Sequence, residues 1–160
     1  MLQSSYMRKV TLCFLIDKNK VCLAMKKRGF GVGKWNGVGG KTKEGEGVKE
    51  AAIREMGEEI GVRAKTEDLE EVGNIKFYFN EKPDWNQQMH IFFVKKWKDE
   101  PQESEEMLPK WYPKDQIPYT EMWVDDEYWL PKALAGKKIE AEFYFKGDGE
   151  DLEKYEVREI

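Results

Sequence analysis

A helix-forming segment with three glutamates on one face, preceded by a glycine-rich turn, constrains this chain more than any other feature. The segment runs from about residue 46 to residue 61, and Gly61 stands where a C-terminal cap glycine is common. At about 100° per residue, Glu55, Glu58 and Glu59 fall on one helical face. This spacing predicts a helix that presents concentrated negative charge to one side.

The same segment also has a face that suits a protein core. Ile53, Met56 and Ile60 share that face and are predicted to pack against a sheet. Like charges three and four residues apart cost a helix about 0.2–0.5 kcal/mol each, so the glutamates favour a compensating cation. Oxygen ligands without His or Cys select Mg²⁺, Mn²⁺ or Ca²⁺ rather than zinc, and Arg54 can hold one carboxylate. An ordinary acidic surface helix is the alternative interpretation.

The composition favours one globular domain without a polymer or membrane partner. The chain has 160 residues, 40% of them apolar, which suits a single domain over residues 1–160. No apolar run reaches about 18 residues, and residues 1–6 lack the blocks of a signal peptide, so a cytoplasmic monomer is expected. The net charge of -4 argues against a nucleic-acid polymer as partner. Residues 1–50 nevertheless carry 11 basic and 4 acidic side chains, which favours either a bound phosphate chain or a solvated lysine-rich surface.

The counts of cysteine and histidine limit the kinds of catalytic site and metal site that the chain can form. Cys13 and Cys22 lie in apolar runs, and we expect both to be core residues in a reducing compartment. His90 is the single histidine, and a strand or core position is expected for it. His-based triads and sites with several histidines are excluded by this count, and no His/Cys zinc spacing is present.

The hydrophobic pattern predicts mixed strands with two helices. Apolar runs predict a hairpin at 10–16 and 21–25 and further strands at 68–79, 89–97, 139–146 and 155–160. Helices are predicted at 46–61 and 125–135, and loops at 80–88 and 99–107. The six glycines of segment 29–40 exclude a regular helix and suggest backbone close to a ligand. This order predicts an α/β class, with a sheet packed between helices in one domain.

Residues around the glutamates follow a fixed spacing, which comprises Gly40, Glu46, Arg54, Glu55, Glu58, Glu59, Gly61 and Val62. This spacing resembles the Nudix box, with Met56 where Ile, Leu or Val is usual. The resemblance implies the Nudix α/β/α sandwich with a mixed central sheet. It also implies Mg²⁺-dependent hydrolysis of a nucleoside diphosphate linked to another moiety.

The likeness extends from about Thr11 to the C-terminus. Several segments are similar to the MutT-homologue branch of the Nudix family, namely 25–37, 105–107, 115–118, 122–126, 128–129 and 155–160. That branch converts 8-oxo-dGTP and 2-hydroxy-dATP to monophosphates and pyrophosphate, which sanitises the nucleotide pool. The resemblance therefore implies a small-molecule nucleotide substrate.

The resemblance also implies roles for individual residues. Metal ligands, for Mg²⁺ or a substituting Mn²⁺, are implied at the Gly39 carbonyl, Glu55, Glu58, Glu59 and Glu106. Catalytic roles are implied at Arg54, Glu58, Glu59 and Glu106, with Glu59 favoured over Glu58 as the proton acceptor. Nucleotide contacts are implied at Thr11, Lys26, Asn36, the turn 37–41 with Val38, Gly39, Gly40 and Lys41, and at Trp123, Asp125 and Asp126.

Three departures from this branch border the implied base pocket. Val38 stands where the branch has Phe, and Val124 stands where it has Pro. The loop 80–88 is longer and lacks a Met expected near Gln87. These differences concern the preferred base rather than the reaction.

Adjacent acids after a tryptophan have the chemistry to recognise a purine. Trp123 can stack on a base, an ionised Asp accepts from the N1–H and N2–H edge of a guanine-like base, and a protonated Asp donates to O6. Two nearby buried carboxyls tend to share one proton, so Asp125 and Asp126 can accept an oxidised guanine or an oxidised adenine. The alternative for Asp125 is an N-cap, and the two roles can coexist. Phe30 and Trp129 are expected in the core or the pocket wall.

Other functions stay open at the level of sequence. Tyr78 lies about where Nudix hydrolases of dinucleoside polyphosphates carry a tyrosine. Capped RNA ends and nucleotide sugars are further substrates within the same reaction class. A non-catalytic nucleotide sensor is a third function, and the complete set of glutamates argues against it.

Overall fold

The computed structural model describes residues 7–147, 149 and 151–160, so the expectation for residues 1–6 lies outside the described residues. The described strands are β1 (Arg8–Asp17), β2 (Lys20–Lys26), β3 (Trp35–Asn36), β4 (Leu69–Phe79), β5 (Gln87–Val94), β6 (Met107–Pro113), β7 (Ile139–Lys146) and β8 (Asp151–Glu159). The helices are α1 (Val48–Ile60) and α2 (Asp126–Leu134). The strands form a mixed sheet in the order β3-β2-β1-β5-β4-β7-β8, with β6 paired to β2. β1 and β5 run parallel, as do β4 and β7.

Side chains of β1 alternate between two cores, which places one helix on each face of the sheet. Phe14 joins the core that contains Trp129 of α2, whereas Cys13 and Leu15 join the core that contains Met56 of α1. The alternation follows from the two-residue period of a strand. The result is the α/β/α sandwich with a mixed central sheet that the resemblance implied.

The glycine-rich segment fills a gap between β1 and β2. These strands pair next to their hairpin turn, at Ile16 and Val21, and then diverge. Further along, β3 pairs with β2, while Val38 and Lys41 bridge to β1. Two backbone hydrogen bonds of 2.6 and 2.9 Å join Val38 to Cys13. Residues 37–40 are thereby held beside β1, and the Val38 side chain lies in the core that contains Met56 of α1.

Both predicted helices are present, with small shifts at their ends. α1 begins at Val48 rather than residue 46. The reason is that Glu46 has a different role: its carboxylate accepts a hydrogen bond from the Lys43 amide and pairs with Arg54. Ile60 ends the helix, and Gly61 is the predicted left-handed cap with φ 71°.

The six predicted strands are present, and two further strands were not predicted. β5 ends at Val94 rather than residue 97, because Trp97 leaves the sheet and stacks on Trp111. β6 was missed because it contains Pro109 and Pro113, and prolines are rare inside sheets. β6 tolerates them because it pairs with β2 alone among the described strands.

The cysteines and the histidine lie where the sequence placed them. Cys13 and Cys22 are buried and unpaired. His90 lies in β5, and its Nδ1 is 2.7 Å from Glu71 Oε2. None of the helices in the described ranges has the length and apolar character needed to cross a membrane.

Candidate active site

Arg54 connects the glycine-rich turn to the glutamates of α1. Its Nε and Nη2 donate to Glu46 at 2.8 and 2.9 Å, a bidentate pair that lowers the pKa of Glu46 to about 2. Its Nη1 donates to Glu55 at 2.7 Å and to Glu58 at 3.2 Å. Its Nη2 also donates to the Lys41 carbonyl at 3.1 Å. Arg54 is therefore a positioning residue that fixes the orientation of the carboxylates.

Glu59 is the buried member of the three glutamates. Its residue is 9% exposed, and its Oε1 accepts a hydrogen bond from the Gly39 amide at 3.0 Å. Burial, followed by the charge of Glu55, raises the pKa of Glu59 to about 7, while the Gly39 amide and Lys26 act in the opposite direction. A carboxyl group with a pKa near neutrality is suited to accept a proton from an attacking water.

The other implied acidic ligands are more accessible. Burial raises the pKa of Glu55, although the hydrogen bond from Arg54 opposes this effect. The side chain of Glu58 is 53% exposed. Glu106 is 52% exposed and forms an ion pair with Arg28 at 3.5 Å. Both exposed carboxylates have room to move toward a cation, whereas Glu55 and Glu59 are held in place.

Residues 39 and 40 leave no space for side chains. A Cβ on Gly39 would lie 1.9 Å from the Thr11 carbonyl oxygen, and a Cβ on Gly40 would lie 2.5 Å from Glu55 Oε2. The Thr11 amide donates to the Gly40 carbonyl at 2.9 Å, which holds the two backbones together. The amides of the strip are used within the protein, since Gly39 donates to Glu59 Oε1 at 3.0 Å and Gly40 donates to Thr11 Oγ1 at 3.4 Å.

A second polar group lies at the start of α2. Asp125 occupies the N-cap position but makes no capping hydrogen bond, and its carboxylate accepts from Trp129 Nε1 at 3.0 Å instead. Burial raises the pKa of Asp125 to about 6. Burial and the charge of Asp125 raise the pKa of Asp126 well above its usual range. Asp126 Oδ2 is buried and lacks a hydrogen-bond partner in the described structure.

A single cavity of about 660 Å³ is lined by both Glu59 and the Asp125–Asp126 pair. The implied site residues that line it are Thr11, Lys26, Asn36, Gly39, Gly40, Lys41, Glu59, Trp123, Asp125 and Asp126. The implied residues outside its lining are Arg54, Glu55, Glu58 and Glu106, together with Val38. Val38 was expected at the base pocket, but its side chain is buried in the α1 core, because Val38 bridges to the core residue Cys13.

Aromatic residues complete the cavity. Phe30 is 68% exposed and stacks on Trp123, with ring centroids 5.2 Å apart, so it is a wall residue rather than a core residue. Phe77 and Phe79 line the cavity from one face of β4. Their two-residue spacing is a signal that could have placed them together. Trp85 also lines the cavity, but nothing in the sequence indicates that its loop folds toward β4.

The donor set near Glu59 fits a hard divalent cation. Glu55 raises the pKa of Glu59 by charge repulsion, and a bound cation would relieve that repulsion. Within residues 7–147, 149 and 151–160, no group of three or more His, Cys, Asp or Glu side chains is arranged to hold a metal ion. The reason lies in Arg54, which draws Glu55 and Glu58 to itself. The assignment of individual metal ligands stays a prediction.

Comparisons with known proteins agree with this geometry. The NUDIX domain model matches residues 6–133. The chain is 43% identical over 153 residues to the oxidized purine nucleoside triphosphate hydrolase of Mus musculus, covering 96% of both chains. It is 44% identical over 143 residues to the protein of the same name from Danio rerio, covering 89% of this chain and 88% of the relative. The crystal structure of a MutT protein from Bacillus halodurans is 27% identical, with a TM-score of 0.80, and covers 94% of this chain and 97% of its own.

Proposed function

The chain belongs to the Nudix domain family, and we propose that it hydrolyses oxidised purine nucleoside triphosphates, such as 8-oxo-dGTP and 2-hydroxy-dATP. The products are the nucleoside monophosphate and pyrophosphate, and the reaction removes oxidised nucleotides from the pool. Two relatives above 40% identity carry the name of this activity, and they match nearly the whole chain.

The observation that supports the substrate best is the buried Asp125–Asp126 pair in the cavity that also contains Glu59. Apart from the Asp125 carboxyl beside it, the buried Asp126 Oδ2 has no hydrogen-bond partner in the described structure, so it is available to a ligand. A purine edge offers both donors and acceptors to a pair that shares one proton. Movement of that proton lets the same pair accept an oxidised guanine or an oxidised adenine.

The glutamate side of the cavity supports the reaction. Lys26 and Lys41 line the cavity, and their positive charges are suited to bind phosphate oxygens. Glu59 is the group that we propose to accept the proton of the attacking water, and Arg54 orients its neighbours. The residues that would hold Mg²⁺, or Mn²⁺ in its place, are the Gly39 carbonyl, Glu55, Glu58, Glu59 and Glu106. When bound, the cation neutralises phosphate charge and acidifies water.

The position of Tyr78 does not support a dinucleoside polyphosphate as the substrate. Tyr78 stacks on Tyr144, with centroids 4.8 Å apart, and it is not among the residues that line the cavity. Tyr78 is therefore not placed to bind a dinucleoside polyphosphate in the cavity.

The test measures nucleoside monophosphate release with Mg²⁺ from 8-oxo-dGTP, 2-hydroxy-dATP, dGTP and a dinucleoside polyphosphate. We expect the two oxidised purines to have the highest kcat/KM. Asp126→Asn should reduce this preference more than it reduces the affinity for pyrophosphate. Equal turnover of dGTP would contradict recognition of the oxidised base, and absence of release from all four nucleotides would favour a sensor.

A further inference from the structure

Trp85 is an aromatic wall of the cavity for which neither the sequence nor the reaction provides a role. It ends a short 3₁₀ turn, Pro83–Trp85, in the long loop between β4 and β5. Its ring lies edge-on to Phe30, with centroids 6.0 Å apart, and edge-on to Phe79, with centroids 5.8 Å apart. Trp85 therefore connects the Phe30–Trp123 stack to the aromatic face of the sheet.

The loop that carries Trp85 is anchored at several points. Asn86 Oδ1 accepts from the Phe79 amide at 2.7 Å, and the Trp85 amide donates to the Lys82 carbonyl at 2.9 Å. Arg8 Nη2 donates to the Asp84 carbonyl at 2.9 Å. These bonds fix the backbone on both sides of the indole, so the ring is held at the cavity before a ligand arrives.

Phe30, which contacts Trp85, lies on a turn between two glycines. Its neighbours Gly29 and Gly31 have φ values of 83° and 84°, which glycine adopts without strain. Phe30 contacts both Trp85 and Trp123 while most of its own surface is exposed. The anchored indole thus meets an exposed ring on a glycine-flanked turn, beside the tryptophan that is suited to stack on a base.

We infer that Trp85 is a base-binding residue, whose indole is the fixed wall of the compartment that receives the oxidised purine. This inference rests on the proposed function. The wall matters for holding the base and not for cleaving phosphate, because the Trp85 ring contacts Phe30 and Phe79, with the Lys82 ammonium 4.5 Å from its centroid. Loss of the indole should therefore weaken nucleotide affinity while the chemical step continues.

The experiment titrates the wild type and Trp85→Ala with 8-oxo-dGMP by calorimetry, in the absence of metal. We expect binding to weaken by about tenfold, in the range that loss of one aromatic contact to a base produces. For hydrolysis of 8-oxo-dGTP, KM should rise by a similar factor with kcat within about twofold, and competitive inhibition by pyrophosphate should not change. Trp85→Phe, which keeps a flat ring, should restore most of the affinity.

Trp97→Ala is the matched control, because Trp97 is also a partly buried tryptophan in an aromatic stack but lies outside the cavity lining. It should bind 8-oxo-dGMP like the wild type. Equal affinity of the wild type and Trp85→Ala would overturn the inference alone. A wild type that does not bind 8-oxo-dGMP would overturn both the proposed function and this inference.

Discussion

Two buried carboxyl groups of this protein have raised pKa values for the same reason but are suited to different roles. Burial raises the pKa of both Glu59 and Asp126, but their surroundings differ. Glu59 has the Gly39 amide as a donor and the charge of Lys26 nearby, so its ionised form is accessible near neutral pH. Asp126 faces the charge of Asp125, which favours its protonated form. One group is thus suited to accept a proton, and the other is suited to donate a hydrogen bond.

Replacement of Glu59 separates catalysis from folding. Glu59→Gln keeps a side-chain oxygen that can accept from the Gly39 amide, but it has no basic carboxylate. We expect kcat to fall by about 10²–10⁴-fold, the usual contribution of a general base, while Tm changes little. Pyrophosphate release and a melting curve measure the two effects. The exposed Glu67→Gln serves as control, and a kcat within threefold of the wild type would remove Glu59 from the mechanism.

The aspartate pair should make stability fall as pH rises. The pKa of Asp126 is raised in the folded state, so its stabilising contribution is present below the ordinary pKa near 3.8 and is lost as pH rises toward the folded value. As pH rises above 4, the wild type should therefore lose up to about 1.4 kcal/mol per pH unit more than Asp126→Asn. In melting curves this difference is about 4 °C per pH unit. The exposed Asp115→Asn should follow the wild type, and parallel curves for wild type and Asp126→Asn would contradict the shared proton.

Two glycines near the glutamates, Gly57 and Gly39, differ in whether a Cβ would fit at their positions. In α1, a Cβ on Gly57 would meet its nearest neighbour, the Val62 carbonyl oxygen, at 3.8 Å, an ordinary contact. Gly57→Ala should therefore raise the free energy of unfolding by about 0.5–1 kcal/mol, because alanine favours a helix. Gly39→Ala should do the opposite, since its Cβ would overlap the Thr11 carbonyl. Urea unfolding of both variants tests the contrast, and a destabilised Gly57→Ala would mean that the glycine has another structural role.

The regular elements could be predicted from sequence because their signals are local. The carboxylate face of α1 follows from the spacing of Glu55 and Glu59, and strand alternation is visible in the run around Phe77. The proline-containing β6 and the position of Trp85 could not be predicted, because both depend on which distant segment lies beside them. The capping role considered for Asp125 failed for a local reason, because its carboxylate accepts a hydrogen bond from the Trp129 indole four residues along the chain.

The sandwich fold brings acidic side chains from both helices to one cavity. α1 and α2 pack on opposite faces of the sheet, and the gap between β1 and β2 lets the backbone of residues 37–40 reach between them. Glu59 from α1 and Asp126 from α2 consequently line the same space. A nucleotide, which combines a phosphate chain with a base, has the chemical groups to contact both ends of this space.

Binding of a divalent cation should stabilise the entire fold, since it relieves repulsion between buried carboxylates. At a Mg²⁺ concentration ten times the dissociation constant, we expect about 1.4 kcal/mol of added stability, or about 4 °C in Tm at pH 8. At pH 5 the gain should shrink, because Glu59, with a pKa of about 7, is then protonated.

Glu55→Gln removes one carboxylate and should reduce the gain in stability from Mg²⁺ at pH 8, and chelation should reverse that gain. KCl at matched ionic strength controls for screening of surface charges. An equal Tm increase in KCl, or in Glu55→Gln, would show that the cation acts on the general charge of the molecule and not at the glutamates of α1.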